Sequence, residues 1–246
     1  MSEDIHIPPP NDGWIPTLNK MGFMTTTLDP VSVSFTKFAT QAPGPALEIG
    51  AAYGIATLEA LKQGAKVIAN DIDERHLKLL EEQVPDEQKS NLTLKAGKFP
   101  TDLDFNKESV GAILICRVMH FFDGSQVDES VKKIATWLAP GGKAFVVCDS
   151  PYSKTMRKFI PEFEKNKNMG KNWPGFCENI HDICDPPELK NALPPKMHFF
   201  TPDILKDAFE RAGMRVEFAE TMARPDFPAM LRYDGRESTG LIALKI

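Results

Sequence analysis

An α/β fold is expected for this 246-residue sequence: a doubly wound, seven-stranded, mostly parallel sheet with its last strand antiparallel, plus a helical or irregular cap. Three observations predict it. Short runs rich in apolar residues recur at 46–49, 66–69, 91–95, 110–116 and 143–148. Segments with apolar residues at helical spacing lie between them. Glycine, proline or an acidic cap marks most of the joins. Apolar strands alternating with amphipathic helices imply a parallel sheet covered on both faces. Right-handed crossovers then give the doubly wound order.

The elements follow in sequence. Asp29-Pro30 offers an N-cap and a proline at the first helical position. Val31, Phe35, Phe38 and Ala42 continue at helical spacing until Pro43-Gly44-Pro45. After the strand at 46–49, residues 54–63 read as a helix with Ile55, Leu58 and Leu61 on one face and Gly64 as its stop. The strand at 66–69 follows, and Asp73 caps a helix carrying Leu77 and Leu80. Strands at 91–95 and at 110–116, VGAILIC, come next. Ser125, with Asp128 three residues on, opens a helix bearing Val127, Val131, Ile134 and Leu138, and Ala139-Pro140-Gly141-Gly142 ends it before the strand at 143–148.

The rhythm breaks at 150–200, which is rich in Pro, Asn and Lys. Met156, Phe159, Ile160 and Phe163 keep helical spacing there, with Pro161 expected to kink the helix. Some fifty residues exceed an ordinary connection, so an insertion or lid is expected. Thr201-Pro202 then starts a helix with Leu205, Ala208 and Phe209 on its buried face and Gly213 as its stop, and 214–219 and 239–246 close the sheet. The expected organisation is a single domain over 1–246. It comprises an irregular arm at 1–28 wrapped over a cleft, a cofactor-binding half at 29–149, a cap at 150–200, and a C-terminal helix with closing strands at 201–246.

Composition narrows the function. The formal net charge is −5, which disfavours a nucleic-acid partner. Four cysteines, 116, 148, 177 and 184, form no regular framework, so reduced thiols in a cytoplasmic protein are expected. The opening MSEDIHIPPPNDGW is acidic and proline-rich, unlike a signal peptide, and no apolar run approaches the roughly 18 residues of a membrane span.

The chemistry concentrates at the end of the first strand, in ALEIGAAYG. Ligands of open α/β sheets bind beyond the carboxyl ends of the strands. Gly50 lets the chain turn and a ligand approach there, and the next helix begins just beyond it. Asp71 ends the second strand 21 residues later, where a carboxylate can accept from both hydroxyls of a ribose. The glycines of a dinucleotide loop follow G-x-G-x-x-G. Here Gly50 and Gly54 are four apart, and Glu48 precedes them. A carboxylate suits an ammonium or sulfonium and would be unhelpful beside a pyrophosphate.

E-x-G-x-x-x-G at 48–54 resembles motif I of the class I, Rossmann-like, S-adenosylmethionine-dependent methyltransferases, written [D/E]-x-G-x-G-x-G. The likeness extends over most of 29–246. It includes a capped helix before the first strand, Asp71 as the ribose acid and Leu138-Ala139-Pro140-Gly141-Gly142 as L-x-P-G-G. It also includes a closing hairpin whose last strand runs antiparallel. The resemblance implies S-adenosylmethionine as cofactor and methyl transfer to an acceptor, with a small molecule favoured by the cap. It implies cofactor contacts from Glu48, Gly50, Ala51, Ala52, Gly54, Asp71, Ile72, Gly97, Lys98, Phe99, Cys116 and Arg117. His120, at the fourth strand's end, is the candidate general base. Two departures stand out: Ala52 replaces the middle glycine, and Lys98 stands where an acid often meets the adenine amino group.

Other readings remain open. Glu48 caps or pairs within the turn, His120 packs structurally, and Arg117 either clamps a carboxylate or forms a structural salt bridge. A nicotinamide-dependent oxidoreductase would share the sheet and the ribose acid, and a non-catalytic S-adenosylmethionine-binding module would accommodate Ala52 and Lys98. Cys177, His181 and Cys184 offer too few ligands for zinc, and no metal is expected. Six cations against two glutamates in 151–171 read as a solvated face or a guide for an acidic acceptor.

Overall fold

The structure, a computed structural model, describes residues 5–185 and 193–246. Where the sequence leads one to expect an irregular arm, a small antiparallel hairpin forms from β1 (Trp14–Pro16) and β2 (Phe23–Thr25). The alternating core follows: α1 (Pro30–Ala39), β3 (Ala46–Ile49), α2 (Ile55–Lys62), β4 (Val67–Asp71), α3 (Glu74–Glu82), β5 (Leu92–Ala96), β6 (Val110–Cys116), α4 (Gly124–Trp137) and β7 (Leu138–Asp149). After α5 (Ile160–Asn168) come two short paired strands, β8 (Phe176–Cys177) and β9 (Met197–His198). Helix α6 (Pro202–Arg211), β10 (Met214–Met222) and β11 (Ser238–Lys245) end the chain.

The central sheet has seven strands in the order β10-β11-β7-β6-β3-β4-β5. Strands β3 to β7 pair in parallel, and β11 runs antiparallel to both β7 and β10. Successive strands leave in both directions from β3, so the sheet is doubly wound and mostly parallel, with its last strand reversed. All four residues of β3 are buried. Helices α1, α2 and α3 cover one face around Phe35, Leu61 and Leu80. Helices α4 and α6 cover the other around Val131, Ile134 and Phe209. Met156, Phe159, Phe163, Met197 and Phe199 gather in a small cluster of their own.

Several boundaries differ from those the sequence predicts. Helix α1 ends at Ala39, leaving Ala42 in the following turn. Helix α4 is capped by Asp123 rather than Ser125, because Asp123 accepts from the Gln126 amide while the Gln126 side chain accepts from the Asp123 amide. Pro140-Gly141-Gly142 does not separate helix from strand. β7 already begins at Leu138, and its pairing with β6 jumps from Val110–Leu138 to Ala112–Lys143, so the tripeptide bulges within the strand. Pro161 opens α5 instead of kinking it, since proline in the first turn sacrifices no helical hydrogen bond.

Candidate functional site

A cavity of about 730 Å³ lies over the carboxyl ends of β3, β4, β6 and β7, within the usual range of small-molecule sites. It is bounded by the 11–28 segment, the loop after β5, cap residues including Met156 and Phe199, and the 227–237 segment. Glu48, Gly50, Ala51, Ala52, Asp71, Ile72, Gly97, Lys98, Phe99, Cys116, Arg117 and His120 all line it. Gly54 is absent from the lining.

Glycine is required at Gly50 and Gly54 by backbone conformation and neighbouring packing. Gly50 has φ +73°, and a Cβ there would lie 2.3 Å from Val118 Cγ2. Gly54 has φ +80°, and a Cβ would meet Leu80 Cδ1 at 2.1 Å. Ala52, between them, takes φ +47°, a left-handed conformation that glycine would adopt without strain.

As the N-cap of α2, Gly54 has no side chain to offer the helix. Glu48 supplies the missing acceptor from β3. Its Oε2 receives the Thr57 amide at 2.8 Å and the Thr57 hydroxyl at 2.5 Å. Glu48 therefore both lines the cavity and caps the helix. Burial pushes its pKa up to about 7; the Thr57 hydrogen bonds oppose that shift without cancelling it.

Asp71 is also buried and fully engaged on its inner side. It accepts from the Ala52 amide at 2.8 Å, the Asp73 amide at 2.9 Å and His76 Nδ1 at 3.0 Å. The Leu18 amide donates to His76 Nε2 at 2.9 Å. The ring thus carries its proton on Nδ1 and donates to Asp71. This relay ties the N-terminal segment to the strand-end acid, and Tyr53 reinforces it by donating to the Pro16 carbonyl at 2.9 Å. Sequence reasoning missed His76, whose only signal was its place five residues after Asp71, in the first turn of α3.

After β5, Asn70 donates to the Lys95 and Gly97 carbonyls and holds the loop. The Lys98 amide donates to Asp102 at 3.1 Å. Phe99 is buried and packs against Phe122 and Trp137, whereas Ile72 is 48% exposed.

On the opposite side, Arg117 Nε lies 3.2 Å from Asp149 Oδ1, and His120 Nδ1 lies 3.1 Å from Asp149 Oδ2. The second contact is a close approach without hydrogen-bond alignment, since His120 Nδ1 has no partner by geometry. Burial alone would raise the pKa of Asp149, but Arg117 and His120 hold it well below the usual carboxylate range. The Arg117 guanidinium stacks on Trp14 at 4.9 Å and Phe227 at 5.0 Å, and the two rings meet edge to face. The segment bearing Phe227 is braced by Glu237, which accepts from the amides of Arg224, Tyr233 and Gly235. Asp149 was overlooked in the sequence, although an acid at a strand's carboxyl end was the same signal that marked Asp71. Trp14 and Phe227, 213 positions apart, left no local sign of their meeting.

Cys116 approaches Asp29 at 3.7 Å, and burial pushes its thiol far above its ordinary pKa, so it is a neutral wall rather than a nucleophile. All four cysteines are free. In the cap, His181 Nε2 faces the Leu193 carbonyl at 3.1 Å and Cys184 the His181 carbonyl at 4.0 Å. No cluster of three or more metal-ligating side chains occurs among the described residues. Of the basic segment, Arg157 pairs with Asp185 and Lys167 with Asp203. No helix among the described residues is long and apolar enough to cross a membrane.

Comparison with known proteins agrees with this architecture. Residues 46–142 match the family model described as a methyltransferase domain. Among solved structures, a SAM-dependent methyltransferase from Methanosarcina mazei superposes with a TM-score of 0.62 at 16% identity, covering 89% of this chain and 98% of that one. An S-adenosylmethionine-dependent methyltransferase from Mesorhizobium loti gives 0.59 at 14% identity, over 87% and 97% of the two chains. The glycopeptide N-methyltransferase MtfA, complexed with S-adenosyl-L-homocysteine, gives 0.56 at 14% identity over 87% of each chain. No curated protein matches the chain. Residues 46–142, from the first central strand through the Pro-Gly-Gly bulge, thus match a methyltransferase domain, and the fold around them is that of the solved S-adenosylmethionine-dependent methyltransferases.

Proposed function

We propose that the protein transfers the methyl group of S-adenosylmethionine to a small-molecule acceptor held within the cavity. The observation that supports this most directly is the convergence of Glu48, Gly50, Asp71 and His120 on one cavity at the sheet's carboxyl edge. S-adenosylmethionine supplies a methyl group already activated by its sulfonium. Asp71 offers its remaining acceptor capacity to the ribose hydroxyls, positioned by Ala52, Asp73 and His76. Ile72, Gly97, Lys98 and Phe99 form the adenine end, with backbone groups in place of an acid at Lys98. Carboxylates at Asp29, Asp71 and Asp149 line the cavity, a charge pattern suited to a cationic ligand.

The cap and the N-terminal hairpin exclude water from a displacement that needs alignment more than covalent catalysis. His120 is the proton acceptor in this reading. With Nδ1 beside Asp149, Nε2 is left to take a proton, and the Asp149 charge stabilises the imidazolium formed. S-adenosylhomocysteine titrated into the protein should bind in a calorimeter and raise its melting temperature, because a ligand selective for the native state stabilises it. Absence of both at millimolar ligand would remove the assignment.

A further inference from the structure

Two donors buried in the cavity's wall, Trp14 Nε1 and Arg117 Nη1, lack a hydrogen-bond partner, and His120 Nδ1 has only its approach to Asp149. The other two such atoms among the described residues, on His198 and Thr201, belong to side chains that do not line the cavity. The three are neighbours, since Arg117 stacks on Trp14 and shares Asp149 with His120. Leaving a buried donor unmet costs about 1–3 kcal/mol, so each of these calls for a partner that the chain does not supply, and a bound ligand can be that partner. The same cavity is lined by apolar side chains, Met156, Met197 and Phe199 from the cap and Met230 and Leu231 from the segment before β11.

Building on the methyl-transfer reading, we propose that the acceptor is a small, largely apolar molecule with one acidic oxygen, a carboxylic acid or phenol, methylated on that oxygen. Trp14 Nε1–H and Arg117 Nη1–H can only donate, so they call for an acceptor atom and oppose a protonated amine. Arg117 already shares its charge with Asp149, and Asp29 and Glu237 also line the cavity, so a single negative charge is accommodated and a polyanion is repelled. Arg117 ends two strands away from Asp71 in the order β7-β6-β3-β4. At roughly 4.8 Å per strand, that separates the strand end bearing Arg117 from the one bearing Asp71 by about 10 Å. In the reaction a phenol's proton passes to His120 Nε2, whereas a carboxylic acid enters already ionised and needs no base. The oxygen lone pair forms the new O–CH₃ bond, and the S–CH₃ bond breaks with its electron pair returning to sulfur. An ester or ether and a neutral thioether result.

The test measures binding of octanoate, 4-ethylphenol, octylamine and octanol by calorimetry to protein saturated with S-adenosylhomocysteine. Octanoate or 4-ethylphenol should bind more tightly than octylamine and octanol. Arg117→Gln should weaken that binding about tenfold or more while changing S-adenosylhomocysteine affinity less than about twofold. If Arg117→Gln does not fold, Trp14→Phe, which removes only the indole donor, carries the same comparison. Preference for octylamine, or no preference over octanol, overturns the proposal while leaving methyl transfer standing. Loss of S-adenosylhomocysteine affinity in Arg117→Gln assigns the arginine to the cofactor's own carboxylate and equally overturns it. Failure of S-adenosylhomocysteine to bind the unaltered protein defeats the underlying reading instead.

Discussion

On the β3–β4 side of the cavity, Glu48 and Asp71 are buried and their carboxyl groups accept hydrogen bonds of 2.5–3.0 Å from the chain. On the β6–β7 side, Arg117 and His120 converge on one carboxylate, and donors of Arg117 and Trp14 remain unmet. The first side is complete without a ligand, because its carboxylates also cap a helix and pin a loop. On the second, the chain itself supplies no partner for Trp14 Nε1 and Arg117 Nη1. A site that must hold the same nucleoside in every turnover gains from rigidity, since ordering is done before binding. A site with open hydrogen-bonding capacity places its specificity in the ligand that completes it.

The sharpest way to break this contrast is at Asp71. Asp71→Ala would orphan the Ala52 amide, the Asp73 amide and the His76 donor, and should cost about 3 kcal/mol or more in urea unfolding, at 1–3 kcal/mol per buried donor. A loss under about 1 kcal/mol would mean that the acid does not organise its side of the cavity.

Glu48 supplies the next effect. Its folded pKa of about 7 lies above its ordinary 4.5, so the native state holds the proton more tightly. Stability from this group is present below pH 4.5 and is lost as pH rises to about 7, by about 3 kcal/mol. Chemical denaturation across that range should show the decline, and Glu48→Gln should remove it. His198, outside the cavity, provides a contrast of opposite sign. Burial lowers its pKa to about 4 from 6.5, so its contribution grows as pH rises through that interval and is lost on acidification. A His198→Gln profile unchanged from the parent would show that this ring is not held neutral.

The smallest effect belongs to the unsatisfied side. Trp14→Phe keeps an aromatic face for Arg117 and deletes a buried donor without partner. Stability without ligand should therefore stay level or rise by up to about 1 kcal/mol. A loss above about 2 kcal/mol would show that Nε1 is satisfied in solution and would erase the difference between the two sides.

Much of the first side was legible in the sequence. Strand ends, the glycine pair and the acids at 48 and 71 are local features, and a parallel sheet puts successive strand ends on one edge whatever the details of packing. Even there a dual role was hidden. The helix-capping duty of Glu48 depends on Gly54 having no side chain and on α2 starting beside β3. Cap choice at α4 was ambiguous because Asp123 and Ser125 are both good N-caps, and the reciprocal bond with Gln126 selected the first. The bulge at Pro140-Gly141-Gly142 was unreadable because β7's pairing with the start of β6 is a long-range matter.

By itself, the sequence determined the alternation of strands and helices, the doubly wound sheet and the place of the glycine-bearing turn, because hydrophobic period, proline and glycine act over a few residues. Only the tertiary structure decided that Leu18 would reach His76, that Arg117 would meet Asp149, and that Trp14 and Phe227 would close on the same guanidinium. Those contacts join segments 32 to 213 residues apart. They arise from where the sheet's carboxyl edge carries each loop, which is a property of the assembled layers and not of any local stretch of chain.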